Sequence, residues 1–175
     1  MYGAKELAES FRTVRRNTIQ IAEDIPEDQY GFKAAPDVKS VAALLAHIAV
    51  SPGWQIDVHR QRISAIDFAF FGGRGPQVAA EEKALDSKAH ILEALTRGGD
   101  EFSSMVERMT PEFLAETVSF APPLQPPQKT RFEMVLGVKE HEMHHRGQLM
   151  LIERLLGIVP HLTRRRQTSA AGARS

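Results

Sequence analysis

Seven histidines occur in this chain of 175 residues, and two of them, His141 and His145, stand four positions apart. In a helix that spacing directs both imidazoles from one face, with Cβ atoms about 5–6 Å apart, close enough to chelate one divalent ion. Neutral imidazole is the commonest protein ligand for a metal. The pair also falls on an apolar stripe, between Val138 and Ile152. Two unpaired imidazoles are costly to bury there and need a shared partner. The alternative reading is a hydrogen-bonded pair of core histidines. His47, beside Ile48 and one turn from Leu44, lies on or near another apolar face. By itself it reads as a satisfied core histidine. Joined to the late pair, it completes a three-histidine site, and three protein ligands with open positions describe a catalytic rather than a structural centre. His144 lies about 60° back from His141 around the helix, at the rim of such a site or in solvent. His59, His90 and His161 have no partner at ligand spacing and read as surface residues.

The run His141-Glu142-Met143-His144-His145 also satisfies H-E-x-x-H, which in zinc peptidases supplies two ligands and a glutamate base. The rest of such a site is missing. Gln148 stands where the extended motif has glycine. Glu153, further along the same helix, cannot easily close a tripod with the two histidines. At 100° per residue Glu142 points to the side of the stripe. A zinc peptidase is therefore the lesser alternative. A di-iron bundle needs two Glu-x-x-His pairs, and only Glu142 to His145 offers one.

The elements that must position these residues are helical. Leu7, Phe11, Val14, Thr18, Ile21 and Ile25 recur at helical spacing until Pro26 ends the first helix. Residues 27–39 read as a connector. Ser40 caps a second helix that carries His47, and Pro52-Gly53 kinks or restarts it. Residues 68–77, with three glycines and Pro76, read as a loop. A third helix is expected from about Ala80 to Met109, with Gly98-Gly99 marking a bend. Thr110-Pro111 opens a short helix, residues 117–120 are strand-like, and residues 121–128 form an extended loop with four prolines. Thr130 and Glu133 make a capping box for the last long helix, which runs through both late histidines to Gly157. Four long helices, each with an apolar stripe, predict an all-α four-helix bundle with an additional short helix and long connecting loops.

Lys plus Arg and Asp plus Glu are both 22, so the formal net charge is zero and the basic stripe of a nucleic-acid binder is missing. There is no cysteine, which excludes disulfides, cysteine ligands and a cysteine nucleophile. Any thiol chemistry needs a thiol carried by a second molecule. The N-terminus lacks the apolar core of a signal peptide, and no apolar run approaches the roughly 20 residues of a membrane span. A cytoplasmic protein with no membrane partner is the expectation. Residues 1–160 read as one domain, and residues 161–175, with the basic run Arg164-Arg165-Arg166, as a disordered tail.

The segments around these histidines resemble the DinB/YfiT-like family of metal-dependent enzymes. The resemblance rests on His47 in Leu44-Leu45-Ala46-His47-Ile48-Ala49, and on His141-Glu142-Met143-His144-His145-Arg146-Gly147-Gln148-Leu149. The second of these holds the family's two late histidines followed by Arg-Gly-Gln. It extends over roughly residues 5–157. It implies a four-helix bundle that binds one divalent ion, zinc or nickel first and manganese or iron after them, through His47, His141 and His145. It further implies a homodimer, and a small-molecule substrate handled with water or with a low-molecular-weight thiol cosubstrate, as in thiol S-transferases or hydrolases. Arg146 and Gln148 match the family's motif, and with His144 they are candidates to support the ligands. The competing reading is a non-catalytic, metal-binding structural bundle.

Overall fold

The computed structural model describes residues 2–172. Helix α1 (Ala4–Asp24) buries Leu7, Phe11, Val14, Thr18 and Ile21, the face that the sequence pattern defines. Helix α2 (Val41–Val50) starts at Ser40, whose hydroxyl accepts from the amide of Ala43. Helix α3 (Gly53–Arg60) continues the same direction of chain after the Pro52 break. Helices α5 (Lys88–Glu107) and α7 (Arg131–Leu155) complete the bundle. α1 packs on α5 and α7, and α2 packs on those same two helices, so the four close into a ring. Thr130 and Glu133 satisfy the first free amides of α7 reciprocally, as the capping box predicts. Thr110 caps the short α6 (Pro111–Ala115) by accepting from Phe113.

The core divides into two apolar ends. One gathers Ile21, Ile25, Leu45, Ile48, Ile91, Leu95, Leu149 and Ile152. The other gathers Leu7, Phe11, Phe102, Val106, Val135 and Val138. Between them, along both α1 and α7, lies one polar layer formed by Arg15 and Glu142. A small sheet flanks the bundle. β1 (Ala65–Ile66) runs parallel to β2 (Thr117–Phe120), which pairs antiparallel with β3 (Gln128–Thr130). Ile66 and Val118 of this sheet bury against Met134 of α7, with Trp54 and Phe120 at the edge.

Several elements differ from the sequence reading. Residues 68–77 are not a loop but the first part of α4 (Phe68–Ala84), because Asp67 caps it and Phe70 and Phe71 pack on Trp54. α4 buries no residue fully, so it carries little periodic signal. The expected third helix is two: α4 stops at Ala84, and Ser87 caps α5 by accepting from His90. Gly98 and Gly99 lie inside a continuous α5 and allow close approach. A Cβ on Gly99 would stand 2.7 Å from Cγ of Arg15, and one on Gly98 3.3 Å from the carbonyl of Ala49. Residues 161–172 of the expected disordered tail form helix α8 (His161–Gly172). It is held to α1 where His161 meets Asn17 at 3.0 Å and Arg164 pairs with Asp24. Residues 173–175 of that tail lie outside the described residues. Taken together, α2 and α3 (Val41–Arg60) have the length and mean hydropathy, 1.2, of a membrane span. Their apolar side chains, Val41, Leu44, Leu45 and Ile48, are core residues of the bundle.

Candidate metal centre

His47 projects from α2, and His141 and His145 from α7, into the seam between the two helices. The Nε2 atoms of His47 and His141 are 3.2 Å apart, and those of His141 and His145 are 3.1 Å apart. One ligand atom from each residue lies within 4.8 Å of the others, and all three side chains are partly buried. Nothing local brings His47 to the pair. α2 and α7 meet because both turn apolar faces, Leu45 and Ile48 on one and Leu149 and Ile152 on the other, into the same end of the core.

The outer ring nitrogens select the tautomer of the neutral imidazoles. Nδ1 of His47 is 2.8 Å from Oε1 of Glu82 on α4, and Lys39 lies 3.5 Å from the other carboxylate oxygen. A carboxylate oxygen accepts, so the hydrogen of neutral His47 sits on Nδ1 and its lone pair on Nε2. Nδ1 of His145 likewise donates to Oε1 of Gln148 at 2.8 Å. Two Nε2 lone pairs thus face Nε2 of His141, which carries at most one hydrogen and cannot satisfy both. Burial first, and then the neighbouring His145, His47 and His144, push the His141 pKa down to about 4, so a proton is not the expected partner at neutral pH. Burial lowers His145 in the same direction. A divalent cation satisfies all three nitrogens. Two nitrogens on one tetrahedral zinc ion stand about 3.3 Å apart, close to the separations here. The donor set therefore fits a divalent metal, and a carboxylate or amide on the far nitrogen is the usual support for such ligands.

Gln148 supports His145, and its amide nitrogen is 3.5 Å from Nε2 of exposed His144. Arg146 is partly buried and makes no hydrogen bond or ion pair among the described residues. His59 and His161 are not surface residues: both are buried, at 3% and 4% exposure. His59 lies between Gln55 and Arg131, and burial, then the Arg131 charge, pushes its pKa down to about 4. Glu142 does not point to the side of the stripe. It is 1% exposed and faces the bundle interior, where both its oxygens are held by Arg15. The inward face of α7 centres on Val135, Val138, Glu142 and Leu149, with the histidines on its edge. The glutamate of H-E-x-x-H thus faces away from the nitrogens that a peptidase base would have to adjoin. Glu82 escaped the sequence reading, since its link to His47 crosses 35 residues of chain and no motif marks it.

Beside His47 and His141 opens a cavity of about 360 Å³ between α2, α3, α4, α7 and the sheet. Trp54, Phe120, Met134 and Val138 line it, and Lys129 contributes a charge. Volume and lining are those of a small-molecule site.

The family model of the DinB superfamily matches residues 10–149. Among solved structures, the fold is similar to that of a DinB-like protein, YjoA, from Bacillus subtilis. The TM-score is 0.64 at 21% identity, with 87% of this chain and 92% of that chain covered. No curated protein matches the sequence.

Proposed function

We propose that this chain, which belongs to the DinB superfamily, is a metal-dependent enzyme acting on a small molecule. His47, His141 and His145 would hold one divalent ion, zinc or nickel. The reaction class is addition of water or of a low-molecular-weight thiol to an electrophilic substrate, as in a hydrolase or a thiol S-transferase. The observation that carries this reading is the convergence of three Nε2 atoms, two of them from residues that line an apolar cavity. When bound there, such an ion supplies a Lewis acid that makes water or a thiol nucleophilic at neutral pH.

The chain's own residues do the positioning. Glu82 and Gln148 lock the rings of His47 and His145 with their lone pairs inward, so the ligand geometry exists beforehand. Trp54, Phe120 and Val138 keep the neighbouring space apolar, which strengthens electrostatic interactions inside it. The chain has no cysteine, so a reacting thiol must arrive as a second molecule. Glu142 takes no part in proton transfer on this reading, because Arg15 occupies both its oxygens.

Metal analysis tests the proposal. Purified protein should carry about one divalent ion per chain, and His47→Ala, His141→Ala and His145→Ala should each lose most of it. Wild-type protein that takes up neither zinc nor nickel at neutral pH would sink the idea. Thiol and electrophile panels on metal-loaded protein then separate transferase from hydrolase.

A further inference from the structure

The cavity beside the histidines carries a charge pattern that defines what it takes. α7 forms one wall, with Met134, Gly137, Val138 and His141 following one another at spacings of three, one and three along a single face. Lys129 stands just before that helix starts, and His141 ten residues into it, about 15 Å along the axis. The two are therefore set well apart along this wall. Its volume of about 360 Å³ is that of on the order of a dozen water molecules.

Between them the walls are apolar: Trp54, Phe120, Val50 and Val78 face α7 across the gap. Ser51 and Gln125 add neutral polar groups, and the amide of Gln55 is already engaged with Met134 and His59. No carboxylate is among the described residues that line it. Lys129 is the one lysine or arginine there and is partly buried; its side chain makes no ion pair or hydrogen bond among the described residues, and the carboxylate that feels its charge, exposed Glu133, is not part of the lining. An ammonium at the wall of an apolar cavity, with no carboxylate among the lining residues, attracts an anion that enters beside it. A single cation matches a single negative charge; a doubly charged phosphate would keep an uncompensated charge in an apolar space.

Gly137 leaves the α7 wall of this space without a side chain at that position. Alanine favours a helix interior over glycine. A Cβ on Gly137 would meet nothing within 4 Å, so packing does not demand glycine. A side chain larger than a methyl at this position on the cavity wall would project into the space.

We propose that this cavity binds a slender, largely apolar monocarboxylate, its carboxylate on Lys129, its apolar body between Trp54, Phe120 and the Gly137 face of α7, and its reacting end toward His47 and His141. The last part rests on the reading of the three histidines as the catalytic centre. The class of substrate follows: an aryl- or alkyl-substituted carboxylic acid whose electrophilic carbon lies at the end remote from the carboxylate.

Trp54 is the chain's single tryptophan, so its emission reports on the cavity directly. Phenylbutyrate, its carboxamide and phenylbutylamine are three probes of one shape carrying negative, neutral and positive groups. Titrated into the purified protein, phenylbutyrate should change Trp54 emission at about tenfold lower concentration than the amide, and phenylbutylamine should be weakest. Lys129→Met should abolish the preference for the acid while leaving the circular dichroism unchanged. Gly137→Leu should weaken all three probes with the fold intact. Equal affinity for the three probes, a preference that survives Lys129→Met, or no emission change up to millimolar probe overturns the assignment. Metal content of the same preparations is a separate readout. Protein that discriminates the probes but binds no metal refutes the catalytic centre alone, and metal-loaded protein indifferent to probe charge refutes the cavity assignment alone.

Discussion

Arg15 and Glu142, 127 residues apart in sequence, form a two-pronged ion pair inside the bundle. Nε of Arg15 is 3.0 Å from Oε1 and Nη2 is 2.9 Å from Oε2, with the two side chains 4% and 2% exposed. The same guanidinium donates to the carbonyl of Leu95 at 2.8 Å and to that of Ile48 at 3.4 Å. Ile48 follows His47, and Glu142 follows His141. One side chain of α1 thus joins the two helices that bring the histidines together, and it does so at the level of the cluster.

Removing one partner leaves a buried charge uncompensated, which costs about 3–5 kcal/mol. Arg15→Met should therefore lower the melting temperature by about 10 °C. The double replacement Arg15→Met with Glu142→Leu should recover most of that loss, since an apolar pair of similar volume is tolerated in a core. Thermal denaturation followed by circular dichroism measures both. A double variant no more stable than the single one would show that the pair is not the source of the loss.

This pair also explains what the sequence concealed. The α1 stripe and the Thr130–Glu133 cap were legible because each is a local pattern, and the structure has both. The inward face of α7 was misjudged by one residue, because a lone glutamate among apolar neighbours reads as an outward position. Its partner lies in another helix, with no spacing rule to reveal it. The same holds for Glu82, whose contact with His47 is set by how α4 lies on α2. α4 itself was missed because its glycines and Pro76 outweigh a weak apolar pattern, whereas Asp67 and the Phe70–Phe71–Trp54 cluster fix it. The two late histidines were visible at once, as a helical repeat on one element. Their convergence with His47 depends on packing between elements.

Glycines test the packing at α5 and α7 in opposite directions. Gly99→Ala places a methyl 2.7 Å from Cγ of buried Arg15, and overpacking of that kind costs about 1–3 kcal/mol. Gly137→Ala places a methyl in open space and gains up to about 1 kcal/mol of helix propensity. Urea midpoints should fall for the first and rise for the second. A rise for both would mean that the Arg15 side chain yields without cost.

Glu82→Gln should keep the fold and weaken metal binding. The amide can still accept from Nδ1 of His47, but the ring loses the negative charge behind it. A fall of about tenfold in affinity is expected, and roughly a hundredfold for Glu82→Ala, where the ring is also free to rotate. Competition against a chromophoric chelator reads both. Affinity equal to wild type in both variants would remove Glu82 from the site.

Glu153 gives the fold a pH dependence of known sign. It is 0% exposed on the inner side of α7, and neither carboxylate oxygen has a hydrogen-bond partner among the described residues. Burial raises its pKa from 4.5 to about 7, with Asp24 acting in the same direction and Arg164 and Arg154 against it. The folded state therefore holds this proton more tightly than the unfolded chain does. Its stabilising contribution is complete below the unfolded value of 4.5 and is lost as the pH rises through about 7. Buried His59 works the other way, since its pKa is pushed below the ordinary imidazole value and stability falls as acid protonates the unfolded chain. Comparison with a variant isolates the glutamate from this opposing trend. Glu153→Gln keeps the shape but cannot ionise, so its stability relative to wild type should increase from about pH 5 to about pH 8. Urea denaturation at several pH values across that interval gives the difference directly. A difference that stays constant with pH, or that shrinks as the pH rises, would mean that Glu153 titrates alike in the folded and unfolded chain or finds a counter-charge when folded.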